Sequence, residues 1–189
     1  MANPTSRAHP GYISNILHDK KNEGDVLQVS HPYGDFFFDP AAEPKDAPVV
    51  LLGAGVGLTC LMSILNTLVE SGSTRPIAWV HAARTQQVRA FTAHLAEVVK
   101  THPNVHAVFF TSTPAAEDVQ GVHYHHAGRL NLAKLDEEKD LFVGDKRTQY
   151  FVCGPTEFMV DMEKALKARG VEDARVHLEL FGTGGVPKV

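Results

Sequence analysis

Apolar runs without polar alternation recur along the chain after residue 48, and amphipathic stretches separate them. Runs of this kind are typical of strands that are buried on both faces of a sheet. The stretches between them carry apolar residues three or four positions apart, which is the spacing of a helix with one buried face. The predicted strands are 49–54, 77–81, 105–111, 148–153 and 176–181, and the predicted helices are 56–71, 85–100 and 156–168.

The alternation of strands and helices predicts the fold class. Right-handed crossovers between parallel strands place helices on both faces of a sheet, so the pattern predicts an α/β fold with a doubly wound parallel sheet. The segment 114–146 interrupts the alternation and is predicted to be a long loop with one short helix near 132–135.

A different pattern precedes residue 48. Residues 11–19 are predicted to form a short helix, and 25–29 alternate as a strand does. The pair Gly34 and Asp35 is a turn signal before 36–38, a short aromatic strand. These short elements predict a small antiparallel segment ahead of the main sheet.

Prolines mark the expected domain boundary. Three of them fall in 39–48, which is typical of a linker. We therefore expect one small unit at 11–47 and the main domain at 48–189. Residues 1–10 are polar and are expected to form a mobile arm.

The composition narrows the function classes. The 189 residues carry a net charge of −4, so the basic surface that nucleic-acid binding requires is not expected. No apolar run reaches the roughly 18 residues of a membrane span, and the N-terminus lacks the apolar core of a signal peptide. Two cysteines do not make a disulfide scaffold, so a reducing compartment, most simply the cytoplasm, is expected.

Three glycines follow the first strand of the main domain. Gly53, Gly55 and Gly57 occupy its turn into a helix, where glycine allows a tight bend and close approach of a ligand. The free N–H groups and positive dipole end of that helix suit a pyrophosphate. The spacing is G-x-G-x-G rather than the usual dinucleotide fingerprint. A turn needed only for packing is the alternative interpretation.

A second motif ends the strand at 148–153. Cys153, Gly154 and Pro155 lead into the next helix, and proline suits the first turn of a helix. The carboxyl ends of parallel strands share one edge, where ligands bind in such sheets. Both motifs are therefore expected at the same edge. Taken alone, the second motif is a buried cysteine beside a tight turn.

The motifs together resemble the NAD(P)H-binding half of the ferredoxin-NADP reductase superfamily, and most closely the reductase part of flavohemoglobins, the nitric oxide dioxygenases. The resemblance extends over about 11–185. Its matching stretches are 14–18, 24–25, 32–37, 53–59, 80–84, 119–121, 153–159 and 179–182.

The resemblance implies a nicotinamide site. The residues expected to bind the cofactor or line its site are Gly53, Gly55, Val56, Gly57, Thr59, His81, Gly154 and Pro155. Cys153 would lie beside the nicotinamide as one of two catalytic candidates. Arg84 follows a strand end, where it could meet an adenosine 2′-phosphate or remain a solvated surface residue.

The same resemblance implies a flavin site. Phe181, the other catalytic candidate, matches the aromatic residue that covers the flavin ring in this family. Ser14 and Asn15 match the segment at the flavin phosphates. The family's R-x-Y-S segment, the first strands of its flavin-binding barrel and its globin domain are absent from this sequence. The expected cofactor is therefore NAD(P)H, with FAD as a candidate second one.

The expected function is that of an NAD(P)H-dependent oxidoreductase module that passes hydride to FAD or to a small acceptor. Residues 11–47 would be the remnant of the antiparallel flavin-binding barrel. That remnant is expected to pack on the nucleotide domain, to dimerise or to bind a partner chain. The alternatives are a redox-inactive derivative reused as a non-redox enzyme or small-molecule binding protein, and an inactive fragment.

Two further groups of residues invite other chemistry. His123, His125 and His126 are spaced closely enough to bind a metal, but no cysteine or carboxylate pattern supports a site, so none is expected. The thiol of Cys153 is a minor candidate for a reactive nucleophile, because a nearby helix N-terminus could lower its pKa.

Overall fold

The computed structural model describes residues 12–41 and 44–180. The described residues up to Gly34 form one compact unit, and those from Asp35 onward form another. The expected mobile arm lies outside the described residues, and the domain limits proposed from the sequence remain predictions. No described helix combines the length and apolarity that a membrane crossing requires.

The first unit contains one helix, α1 (Tyr12–Lys20), as the sequence predicts. The strands predicted at 25–29 and 36–38 do not form, and no strand precedes Val49 in the described residues. The side chains of Val26 and Val29 are 88% and 85% exposed. A strand needs a neighbour to receive its backbone hydrogen bonds, and alternation of apolar residues does not supply one. The remnant of an antiparallel barrel is therefore not confirmed.

The second unit is built on six parallel strands, which confirms the predicted doubly wound α/β fold. Their order across the sheet is β4-β3-β2-β1-β5-β6. The strands are β1 (Val49–Ala54), β2 (Ile77–Ala83), β3 (Val105–Thr111), β4 (His126–Ala127), β5 (Gln149–Cys153) and β6 (Val176–Glu179). The two-residue β4 was not predicted, because so short a strand carries no periodic pattern.

Three helices connect the strands of this unit. They are α2 (Leu58–Glu70), α3 (Thr92–Thr101) and α4 (Thr156–Lys167), and short 3₁₀ turns form at Gly55–Gly57, Leu132–Lys134 and Asp173–Arg175. The turn at Leu132–Lys134 matches the short helix predicted in the long loop.

The start of α3 corrects the prediction of a helix from residue 85. Phe91 has a φ of 56° immediately before the helix, and this left-handed conformation interrupts helical geometry. Arg89 is buried and donates hydrogen bonds to the His123 carbonyl oxygen and Thr111 Oγ1, each at 3.0 Å. These bonds hold the preceding segment outside a helix, and Val88 in that segment is 65% exposed.

Both faces of the sheet are covered. On one face, α2 and α3 pack against the strands through Leu61, Leu65 and Leu95. On the other face, α4 and the loop after β4 pack through Met159 and Leu132. Because both faces are buried, a ligand can reach the sheet only at its edges and strand ends, and the carboxyl end is where the glycine motif lies.

Candidate functional site

The two sequence motifs lie side by side at the point where the order of the strands across the sheet reverses. From β1 the chain proceeds to β2, β3 and β4 on one side, and then to β5 and β6 on the other. Gly53 of β1 pairs in register with Cys153 of β5. Open parallel sheets bind ligands at such a switch point, as expected from the sequence.

The loops that follow β1 and β5 pack backbone against backbone. A Cβ atom at Gly57 would overlap the Cys153 carbonyl group and lie 2.7 Å from the amide nitrogen of Gly154. A Cβ at Gly154 would lie 2.7 Å from Cδ1 of Phe158. Gly57 has a φ of −58°, which any residue adopts, so the steric approach and not the conformation requires glycine there.

We call residues 53–59 the glycine loop. Its positions 55 and 53 require glycine for reasons that differ from the one at Gly57. Gly55 has a φ of +56°, and no atom lies within 4 Å of the place that a Cβ would take, so its conformation requires glycine. A Cβ at Gly53 would lie 3.0 Å from Leu61 Cδ1 and 3.2 Å from His81 Cδ2. Each of the three glycines therefore has its own structural reason.

His81 binds the glycine loop from its buried side. Its ring is 1% exposed, and burial lowers its pKa to about 4, so the imidazole is neutral at pH 7. Its Nε2 lies 3.1 Å from the Gly55 carbonyl oxygen. A carbonyl can only accept, so the neutral ring carries its proton on Nε2, and Nδ1 has no hydrogen-bond partner in the described residues.

Side chains at the start of α2 bind two further carbonyl groups of the loop. Thr59 Oγ1 donates to the Val56 carbonyl oxygen at 3.0 Å, and Cys60 Sγ donates to that of Gly57 at 3.3 Å. The Val56 side chain is 68% exposed. The N-terminus of α2 has no side-chain cap and no acidic residue in its first turn. The Leu58 N–H donates to the Val56 carbonyl oxygen, and no side chain of the N-cap residue competes with an anion for the amides that follow.

Cys153 is a buried, protonated thiol. Its Sγ donates to the Glu179 carbonyl oxygen at 3.2 Å. Its interaction with the Cys60 thiol, together with burial, raises the pKa of Cys153 well above its ordinary value. The same interaction lowers the pKa of Cys60. The structure thus gives a shift opposite to the one that a reactive Cys153 would need, and it brings two cysteines together that the sequence left unpaired.

A cavity of about 350 Å³ opens at this edge of the sheet. It extends from Ala54 and Gly55 to the strand ends at Arg84 and Ser112 and to the start of α4 at Pro155. We call it the edge cavity. Its polar side chains are Arg84, Ser112, Arg129, Glu157 and Asp161. Of the predicted site residues, Gly55, Arg84 and Pro155 line it.

Sequence reasoning missed four of the polar residues. Ser112 follows β3 as Arg84 follows β2, so the rule that placed Arg84 at the edge could have found it. Glu157 and Asp161 lie in α4 directly after the Cys153–Pro155 motif. Arg129 lies in the long loop after β4, and no local signal shows where that loop returns.

The predicted flavin residues belong to other parts of the chain. Ser14 and Asn15 are in α1 of the first unit, where Ser14 is exposed. Phe181 lies outside the described residues. The roles of all the predicted site residues stay predictions.

The three clustered histidines do not converge. The Phe109 N–H donates to Nδ1 of His125 at 3.0 Å, and the Val119 N–H donates to Nδ1 of His123 at 2.9 Å. His126 stacks on Phe110, with ring centroids 4.7 Å apart. Within the described ranges, no group of three or more His, Cys, Asp or Glu side chains could hold a metal ion.

Comparisons with known proteins agree with this architecture. The family described as the oxidoreductase NAD-binding domain matches residues 51–164. The chain is 43% identical to a flavohemoprotein of Bordetella pertussis over 93% of this chain and 42% of that protein. It is 37% identical to flavohemoprotein-2 of Giardia intestinalis over 91% of this chain and 44% of that protein. The chain thus spans less than half the length of these curated relatives.

A solved structure is similar over nearly the whole chain. It is the flavohem-like FAD/NAD-binding domain of nitric oxide dioxygenase from Vibrio cholerae, with a TM-score of 0.76 and 29% identity. The match covers 95% of this chain and 68% of that one.

Proposed function

The chain belongs to the oxidoreductase NAD-binding domain family, and from that premise we propose that it binds NADH or NADPH in the edge cavity and presents the nicotinamide to an electron acceptor. The observation that carries the proposal is the glycine loop, which joins an uncapped helix N-terminus to this cavity. Homology to flavohemoproteins favours an oxidoreductase module over the redox-inactive alternative.

The residues present fit a dinucleotide pyrophosphate. The N-cap residue of α2 has no side-chain cap, and the close approach at Gly57 excludes a side chain from that position of the loop. Residues 53–59 would hold the pyrophosphate. When bound, the nicotinamide supplies the hydride, whereas the protein supplies position and electrostatics.

His81 would set the direction of one amide donor. It binds the Gly55 carbonyl oxygen from the buried side. In a trans peptide the C=O and the following N–H point in opposite directions, and no described peptide bond is cis. The N–H of Val56 therefore points away from His81, in the direction from which an anion would approach.

Cys153, Gly154 and Pro155 would form the surface beside the nicotinamide. The Cys153 thiol is protonated and donates to the Glu179 carbonyl oxygen, so its role would be positioning and not nucleophilic attack. Phe181 would cover the ring of the acceptor, as the family resemblance suggests.

The acceptor would be FAD or a small molecule. The relatives are flavohemoproteins, which supports FAD, and Ser14 and Asn15 would then meet the flavin phosphates. The same hypothesis includes a partner chain, or a second copy of this chain, that completes a flavin site. A cytoplasmic location remains an expectation.

The test is a fluorescence titration of the purified chain with NADH and NADPH, compared with the variants Val56→Asp and Val122→Asp. Both valines are largely exposed, at 68% and 71%, so neither variant should impair folding. A carboxylate at 56 should repel the pyrophosphate and weaken binding at least about tenfold, while the change at 122 should have no effect.

Failure of a folded chain to bind either dinucleotide, or equal loss in the two variants, would overturn the proposal. The acceptor is tested separately by adding FAD and recording its absorbance. Loss of the flavin absorbance when the dinucleotide is added supports flavin as the acceptor. Binding of a dinucleotide without binding of FAD points to a small acceptor.

A further inference from the structure

The two cysteines of the chain lie on the same face of the sheet. Cys153 ends β5 and is part of the hydrophobic cluster under α2 and α3, and Cys60, in the first turn of α2, packs against that cluster. The backbone of Gly57 lies so close to the Cys153 carbonyl group that a Cβ would overlap it. Cys60 Sγ donates to the Gly57 carbonyl oxygen at 3.3 Å. The sulfur of Cys60 is therefore held beside the end of β5.

The two thiols differ in access and in protonation. Cys60 is half-buried, whereas Cys153 is buried. A hydrogen bond from the Cys153 thiol stabilises the thiolate of Cys60 and lowers the pKa of Cys60. The same interaction, together with burial, raises the pKa of Cys153. A partly exposed thiol of lowered pKa beside a second thiol is typical of a cysteine that an oxidant attacks first and a neighbour that resolves the product.

We infer that Cys60 and Cys153 form a modification site, at which a peroxide converts the two thiols into a reversible disulfide that alters the glycine loop. The chain contains two cysteines, so a disulfide within one chain can join only this pair. The dithiol is the form expected in a reducing compartment, where such disulfides are transient. Formation of the disulfide is independent of the proposed function, whereas its effect on dinucleotide binding rests on that function.

The oxidation by hydrogen peroxide has two balanced steps. The Cys60 thiolate attacks one peroxide oxygen and the O–O bond breaks, which leaves a sulfenic acid at Cys60 and, after protonation, one water molecule. Cys153 then loses its proton and attacks the Cys60 sulfur, so that the S–S bond forms. The displaced hydroxide takes up that proton and leaves as a second water molecule. The peroxide gains the two electrons that the thiols lose.

The first step also prepares Cys153 for the second. In the dithiol form, the interaction with Cys60 is the largest cause of the raised pKa of Cys153. A sulfenic acid is neutral, so it does not oppose ionisation of Cys153 as a thiolate does. Cys153 is therefore protonated and unreactive in the resting chain, and it becomes a nucleophile only after Cys60 has been oxidised.

The disulfide changes the hydrogen bonds of two carbonyl groups. In the dithiol form, Cys60 donates to the Gly57 carbonyl oxygen and Cys153 to that of Glu179. A disulfide has no proton to donate, so both carbonyl groups lose these donors. Gly57 belongs to the glycine loop, which is proposed to hold the pyrophosphate. Oxidation therefore removes a bond that supports this loop, and the dinucleotide should bind less tightly.

The first test exposes the reduced whole chain to hydrogen peroxide, blocks the remaining thiols with iodoacetamide under denaturing conditions, and measures the mass. The expected product is a monomer that is lighter than the reduced chain by two hydrogen atoms and carries no blocked thiol. Digestion should give one cross-link between the peptides of Cys60 and Cys153. Dithiothreitol should restore both thiols, whereas it does not reverse oxidation of methionine.

Cys60→Ser and Cys153→Ser separate the two roles. With Cys60→Ser, the remaining thiol is buried and should react with peroxide at least about tenfold more slowly than the unaltered chain. With Cys153→Ser, the sulfenic acid at Cys60 should persist and be trapped by dimedone. Equal rates of thiol loss in the Cys60→Ser variant and the unaltered chain would overturn the assignment of Cys60 as the first target.

Other results of the mass measurement overturn the inference as a whole. Covalent dimers as the main product would mean that the sulfurs pair between chains and not within one. Survival of both thiols, or conversion of Cys60 to a sulfinic acid while Cys153 stays reduced, would mean that the two sulfurs cannot reach each other.

The effect on the loop is measured by repeating the NADH and NADPH titrations with the reduced and the oxidised chain. Disulfide formation should raise the dissociation constant at least about threefold, and dithiothreitol should reverse the change. The same peroxide treatment should leave the affinity of the Cys60→Ser variant as it was before treatment. Unchanged affinity of the disulfide form would overturn the effect on the loop. If the reduced chain binds neither dinucleotide, the proposed function fails, and the mass measurement still decides whether the disulfide forms.

Discussion

Two regions follow buried strands of the same sheet, and they obtain their shape in different ways. The glycine loop after β1 is shaped by backbone contacts, because Gly57 packs on the Cys153 carbonyl group and Gly55 adopts a left-handed φ. The segment 112–128 after β3 is shaped by side chains, above all by the buried Arg89 and by His125. Backbone packing leaves a short motif in the sequence, whereas side-chain bonds between distant segments do not.

The largest expected effect tests the backbone packing of the glycine loop. Gly57→Ala places a Cβ on the Cys153 carbonyl group, so we expect the free energy of unfolding to fall by roughly 3 kcal/mol. Gly55→Ala is the comparison, since it meets no atom and only forces alanine to a positive φ, at roughly 1 kcal/mol. Urea denaturation measures both. Equal losses would mean that the contact at Gly57 relaxes to accommodate a Cβ and that backbone packing does not determine the loop.

A pH series tests the support of that loop by His81. Its folded-state pKa of about 4 lies below the ordinary value of 6.5, so the unfolded chain takes up the proton first as the pH falls. The contribution to stability is full above pH 6.5 and is lost as the pH falls towards 4, by about 3 kcal/mol in total. Burial also lowers the pKa of His125, which adds to the loss in the same direction.

His81→Gln removes this titrating group and should flatten the decline in unfolding free energy between pH 6.5 and pH 4. His31→Gln, at an exposed histidine, provides the control and should leave the decline as it is. A decline that is equally steep in both variants would contradict the assignment to His81.

The side-chain bonds of the second region are tested at Arg89. Arg89→Met keeps much of the packing on Phe109, over which the guanidinium lies at 4.1 Å, but it leaves the His123 carbonyl oxygen and Thr111 Oγ1 without their donor. We expect a loss of roughly 2 kcal/mol in urea denaturation. Proteolysis should also begin within 112–128. Unchanged stability and cleavage would show that the segment holds its shape without Arg89.

The smallest effect concerns one hydrogen bond within the glycine loop. Thr59→Val keeps the shape of the side chain and removes the bond to the Val56 carbonyl oxygen. Since Thr59 is exposed, water replaces the bond, and the loss should be about 0.5 kcal/mol. A loss as large as that of Gly57→Ala would mean that the hydroxyl, and not backbone packing, determines the loop.

The contrast between the two regions also explains what could be predicted from the sequence. Strands β1 and β3 have the limits that their apolar runs predicted, and the glycine loop lies at the predicted edge. Local pattern was sufficient there, because burial on both faces and a tight turn each restrict residue type directly.

Local pattern was insufficient where a distant partner decides the structure. The helix predicted from residue 85 begins at Thr92, because Arg89 binds a carbonyl group 34 residues away. Residues 25–29 have the alternation of a strand but find no neighbour among the described residues. Arg129 reaches the cavity through a loop whose path depends on packing against α4. The contact between Cys60 and Cys153 likewise requires β1 and β5 to be adjacent.

The pairing of β1 with β5 has a consequence for the order of folding. It joins Gly53 to Cys153, a hundred residues further along, whereas β1, β2 and β3 follow one another in the chain. Closing a longer loop carries a larger entropy penalty, and pairings between distant segments slow folding. We expect β1–β3 to assemble early. The backbone contact between Gly57 and Gly154, which joins the loops after β1 and β5, should form late. A nascent chain would then acquire its nucleotide site only after β5 has been synthesised.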